Sequence, residues 1–89
     1  MTSYERIELL KNISLDYKNL NKTDDAIEQA LDILKTDKHN EWALSELVEL
    51  YKMMNDWNSS KKYLQTYQNL TDHQVPYHYQ NQKMLLIFS

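Results

Sequence analysis

The chain repeats itself. Offset by 34 residues, Leu10 falls on Leu44, Ile13 on Leu47, Tyr17 on Tyr51, Leu20 on Met54, Asn21 on Asn55 and Ala26 on Ser60. The matched positions are mostly apolar or small and recur at helical spacing, so each unit reads as two helices joined by a tight turn. One such unit cannot bury its apolar face alone and must stack on a neighbour. The expected fold is all-α, an antiparallel helix-turn-helix solenoid of about five helices. An open stack offers surface and no enclosed pocket, which points to a binding scaffold and away from an enzyme.

Composition narrows the reading further. The 89 residues suffice for one domain, expected over 1–89, with repeat one at 7–40, repeat two at 41–74 and a closing helix at about 76–88. There is no Gly and a single Pro, so the turns fall to Asn, Asp, Ser and Lys, and an all-β fold rich in Gly turns is disfavoured. The formal net charge is −3, from 13 acidic and 10 basic residues, and Lys61-Lys62 is the only adjacent basic pair. A nucleic-acid partner needs a concentrated basic surface, so none is expected. With no Cys there is no disulfide framework and no thiolate metal site. The longest apolar run, Met84 to Phe88, is too short to span a bilayer, so no membrane insertion is expected. Residues 1–20 carry charge throughout, unlike a signal peptide, which predicts an intracellular, cytoplasmic protein.

Local signals place the helices. Thr2 and Glu5 form a capping-box pattern before a helix over Ser3–Asn19, whose packed face is Leu10, Ile13, Ser14, Tyr17 and Leu20. Asn21 suits the left-handed conformation that ends a helix. Thr23 is the expected cap of a second helix, about Asp24–Thr36, with Ala26, Ile27, Ala30, Leu31, Ile33 and Leu34 inside. After a turn at residues 37–40, Asn40 caps a third helix, about Glu41–Met54, which turns Leu44, Leu47, Val48 and Tyr51 inward. Asn55-Asp56 breaks the chain again. A fourth helix, about Trp57–Leu70, is expected to bury Trp57, Tyr63, Leu64 and Tyr67. Thr71–Val75 reads as a turn, and a fifth helix starts near Pro76.

These positions resemble the tetratricopeptide repeat family. The first repeat supplies Leu10, Ile13, Ser14, Tyr17, Asn21-Lys22-Thr23, Ala26, Ala30 and Ile33. The second supplies Leu44, Leu47, Val48, Tyr51, Asn55-Asp56-Trp57, Ser60, Leu64 and Tyr67. The chain departs from the family pattern where Val48 replaces a small residue, where Ile33 and Tyr67 stand for Ala, and where Lys38 and Asp72 stand for Pro. The resemblance covers residues 7–74 and implies a concave groove lined by the first helix of each repeat. It implies a protein or peptide partner and no cofactor.

On that resemblance the groove presents Lys11, Leu15 and Lys18 from repeat one and Trp42, Glu46, Glu49 and Met53 from repeat two. Leu15, Trp42 and Met53 would anchor a peptide or helix, while Lys11, Lys18, Glu46 and Glu49 would select its charge. Trp42 has an alternative role, folded down on the second helix. The carboxylate clamp of chaperone-binding family members is not expected. Lys11 alone fits it, Leu15, Glu46, Pro76 and Gln80 occupy the other positions, and Glu46 would repel a carboxylate. Glu46 and Glu49 share a helix face but lack the enclosure that a catalytic pair needs, so they read as a solvated acidic face. His39, His73 and His78 have no ligand spacing, so no metal is expected.

The end of the chain suggests a second role. A closing helix can cover the fourth with Leu85 and Phe88, which leaves Met84, Leu86 and Ile87 to contact a second copy or a partner. The alternative function is therefore a self-assembling structural module, a homodimer in its simplest form.

Overall fold

The computed structural model describes residues 1–74, which form α1 (Ser3–Asn19), α2 (Thr23–Thr36), α3 (Glu41–Met53) and α4 (Trp57–Gln74). The described part is all-helical, and each helix packs on the next: α1 on α2, α2 on α3, α3 on α4. The expected fifth helix lies outside the described residues.

The two turns within the helix pairs are built alike. Asn21 and Asn55 both take left-handed backbone, at φ 62° and 61°. After α1, the Lys22 amide donates to the Tyr17 carbonyl at 2.8 Å and the Asn21 amide to Lys18 at 3.0 Å. After α3, Asp56 donates to Tyr51 at 2.9 Å and Asn55 to Lys52 at 2.9 Å. Paired bonds of this kind around a left-handed residue form a Schellman motif, which satisfies the orphan carbonyls of a helix end. Asn carries it here because the chain has no Gly.

Helix starts are less uniform. The expected capping box is present: the Glu5 amide donates to Thr2 Oγ1 at 3.1 Å, and the Thr2 amide donates back to Glu5 Oε1 at 3.3 Å. Asn40 caps α3 through the Ala43 amide at 2.9 Å, and Asp56 caps α4 through the Ser59 amide at 3.1 Å. Thr23 is not a cap. It is the first helical residue of α2, and Lys22 stands at the N-cap with no side-chain bond. Lys22 lies 34 residues before Asp56, so the turn of the first helix pair lacks the cap that the second has. Lys22→Ser should supply the missing acceptor and stabilise the fold by about 0.5–1 kcal/mol. A melting temperature that falls, or does not move, would show that the start of α2 is already satisfied.

The core is narrow. Ala26, Ile27, Ala30, Leu47 and Leu50 form one buried cluster, with Tyr17, Leu31, Leu34, Tyr51 and Tyr63 packed on it. Leu10, Ile33 and Ala43 form a second, covered by Ile7, Leu34 and Trp42. Tyr51 and Tyr63 stack with ring planes 1° apart and centroids at 5.7 Å. A buried hydroxyl marks the crossing of α1 with α2 and that of α3 with α4. Ser14 Oγ donates to the Ala26 carbonyl at 2.9 Å, and Ser60 Oγ donates to the Val48 carbonyl at 2.8 Å. Ser14 is in register with Val48 and Ala26 with Ser60, so the hydroxyl changes sides between the pairs. The small residue needed at the crossing is supplied by α1 in one pair and by α4 in the other, which accommodates Val48.

Four expectations need correction. Leu20 is 65% exposed and Trp57 61% exposed, where both were expected to pack. Leu20 is the C-cap of α1 and Trp57 opens α4, and a side chain in a first helical turn leans back past the helix end, off the core. Tyr17, Tyr51, Tyr63, Leu64 and Tyr67 are half-buried. Finally, Thr71 begins no turn, because α4 runs on to Gln74. The Thr71 hydroxyl donates to the Tyr67 carbonyl at 3.1 Å, the local bond by which Thr is accommodated in a helix interior.

Candidate functional site

Sequence spacing puts Lys11, Leu15 and Lys18 on one side of α1, and Glu46, Glu49 and Met53 on one side of α3. Two contacts join these sides. Lys11 Nζ lies 5.4 Å from the centroid of the Trp42 ring. Lys18 Nζ lies 3.1 Å from Glu49 Oε2 and 3.6 Å from Glu46 Oε2. Lys11 also reaches Glu8 at 3.5 Å, within its own helix. The structure therefore brings five of the seven candidates into contact across α1 and α3: Lys11 with Trp42, and Lys18 with Glu46 and Glu49. Leu15 and Met53 stay apart, 37% and 48% exposed, and belong to neither core cluster.

Trp42 is folded against the core, as its alternative role has it. Its ring is half-buried against the cluster of Leu10, Ile33 and Ala43, and its open face is taken by Lys11. A cation over an indole is worth about 0.5–1 kcal/mol at such an exposed edge.

The Lys18 cluster is drier than a surface ion pair. The side chain of Lys18 is 23% exposed and that of Glu46 13%. Glu46 Oε2 is buried without a hydrogen-bond partner among the described residues, so its compensation is the nearby ammonium. Burial pulls the Lys18 ammonium down, but Glu49 and Glu46 outweigh it and hold Lys18 above the ordinary lysine value. Burial, with Tyr63 and Asp56 close by, also raises the Tyr51 phenol. Both groups have a higher pKa folded than unfolded. Their contribution to stability is thus complete below about pH 10 and is lost as pH rises through the folded values. The urea midpoint should hold steady from neutral pH and then fall above about pH 10, less steeply in Lys18→Met and in Tyr51→Phe. A midpoint that does not fall by about pH 11.5 would contradict the pairing.

Some contacts have no sequence signal. Arg6 meets Asp32 at 2.9 Å, tying α1 to α2 across 26 residues of chain. An open depression of about 240 Å³ lies at the start of α3 and the end of α4, lined by His39, Leu44, Thr66, Asn69 and Leu70 among the described residues. His39 is its one titratable lining residue among the described residues. Among the described residues no group of His, Asp and Glu could hold a metal ion, and no helix is long and apolar enough to cross a membrane. His73 and His78 and the oligomer candidates Met84, Leu86 and Ile87 fall beyond the residues whose side chains are described. Comparison with known proteins returns no matching family model, no matching curated protein and no matching solved structure.

Proposed function

We propose that the chain is a tetratricopeptide-like, non-enzymatic scaffold that binds a peptide or helix of a protein partner along the face shared by α1 and α3. The observation that carries this reading is the cross-helix pairing of Lys18 with Glu46 and Glu49, which makes one continuous surface of two helices. Leu15 and Met53 stand exposed on that surface as apolar anchors. The matching Schellman turns and the hydroxyl at the crossing within each helix pair support the repeat reading. The charges of the face are largely spent on one another. Lys18 serves two carboxylates and Lys11 reaches Glu8 beside the Trp42 ring, so a ligand meets a nearly neutral strip, and apolar anchoring outweighs charge selection.

The test is selection of binding peptides from a displayed library, followed by affinity measurement on variants. Leu15→Asp and Met53→Asp change exposed side chains, so helical circular dichroism should be retained. Affinity should fall by about tenfold or more, the loss typical of a hot-spot anchor. Peptides that bind both variants as well as the parent would remove the site from this face. The second reading, self-assembly through Met84, Leu86 and Ile87, predicts a concentration-dependent sedimentation coefficient that deletion of residues 84–89 abolishes.

A further inference from the structure

We propose that the end of the molecule bearing the two Asn turns is a second interaction surface, and that its partner is a basic amphipathic helix of another protein. Successive helices pack through tight turns, so chain direction alternates. The ends of α1 and α3 therefore lie beside the starts of α2 and α4. Of the eight large apolar side chains exposed among the described residues, four sit at this one end: Leu20, Met53, Met54 and Trp57. Met53, Met54 and Trp57 flank a single turn, and Leu20 is in register with Met54 on the neighbouring helix pair. A cluster of this kind on an exposed surface is a mark of an interaction site. Its chemistry fits the same reading, because Trp is enriched among binding hot spots and Met adapts to irregular apolar partners.

Charge selects the partner. The last turns of α1 and α3, the first turns of α2 and α4 and the residues between them carry Asp16, Asp24, Asp25 and Asp56 against Lys18, Lys22 and Lys52, an excess of one negative charge. Lys18 is already held by Glu46 and Glu49, so the charge left for a partner is acidic. A second copy would bring like charges together, and an anionic lipid surface would be repelled. A helix with an apolar stripe flanked by lysines meets the apolar cluster and the acidic rim together. This surface shares only Met53 with the α1–α3 face and does not depend on it.

The test titrates the full chain with a short amphipathic Leu/Lys helical peptide and follows the two indole N–H signals by NMR. The Trp57 signal should shift and the Trp42 signal should not. Trp57→Ala with Met54→Asp should weaken binding at least about tenfold without loss of helical circular dichroism, as expected for an exposed hot spot. A matching Leu/Glu peptide should bind at least about tenfold more weakly than the Leu/Lys peptide. Vesicles of phosphatidylcholine and phosphatidylserine should leave Trp57 unmoved. Four results would each overturn the proposal: no binding of the Leu/Lys peptide, equal binding of the Leu/Glu peptide, a shift confined to Trp42, or a shift of Trp57 by vesicles. Self-association that Trp57→Ala abolishes would overturn it in favour of a second copy.

Discussion

Leu47→Ala should unfold a large fraction of this protein at physiological temperature. Leu47 has no exposed surface and sits in the cluster of Ala26, Ile27, Ala30 and Leu50, where α2 and α3 meet. Truncating a buried Leu removes its transfer energy and leaves a cavity, together about 2–5 kcal/mol. Three of the surrounding residues limit relaxation: Ala26 and Ala30 carry only a methyl fixed to the backbone, and Tyr51 is held in its stack on Tyr63. The cost should therefore fall in the upper half of that range. Small domains have about 5–15 kcal/mol in total, and each kcal/mol shifts the melting temperature by about 4–8 °C. A drop of roughly fifteen degrees or more is the expected result. Leu64→Ala, at a half-buried position on α4, serves as the control and should cost clearly less. Equal losses at the two sites would mean that the core does not lie between α2 and α3.

The helices were legible because their signals are local. Thr2 with Glu5, Asn21, Asn40 and Asn55 each act within four residues of chain, and each does what its chemistry requires. Leu10, Leu44, Leu47 and Ala26 were legible as core for a related reason, since each lies in phase on the apolar face of its own helix. What escaped was whatever depends on where a helix end meets solvent. Trp57 is apolar and in phase with the buried face of α4, and only its place in the first turn exposes it. Leu20 is likewise in phase, but it lies where the helix has already ended. Periodicity has no term for the end of an element, so it counts both as core. The Thr71 error has the opposite cause. Polar residues at 71–74 looked like a turn, but the backbone of α4 continues through them to Gln74. The candidate face was legible in its residues and not in its pairing. Nothing in the sequence spacing says that Lys18 reaches across to α3.

That reach has a measurable consequence. Lys18→Met should destabilise the protein by about 1–3 kcal/mol, although it exchanges a charged side chain for an apolar one of similar length. In the parent, one ammonium lies 3.1 Å from Glu49 and 3.6 Å from Glu46. Removing it leaves two carboxylates on adjacent turns of α3, and Glu46 Oε2 is buried with no hydrogen-bond donor among the described residues to replace the lysine. An uncompensated charge at a fully buried pair costs about 3–5 kcal/mol. Glu49 is 57% exposed, so water recovers part of the loss and the figure is lower here. One further measurement identifies the cause. Adding Glu46→Gln to Lys18→Met should recover much of the stability, whereas Glu46→Gln alone should cost little while Lys18 keeps Glu49. A deficit additive with Glu46→Gln would show that Lys18 acts through the packing of its stem. The α1–α3 surface would then lose the electrostatic bridge on which its proposed continuity rests.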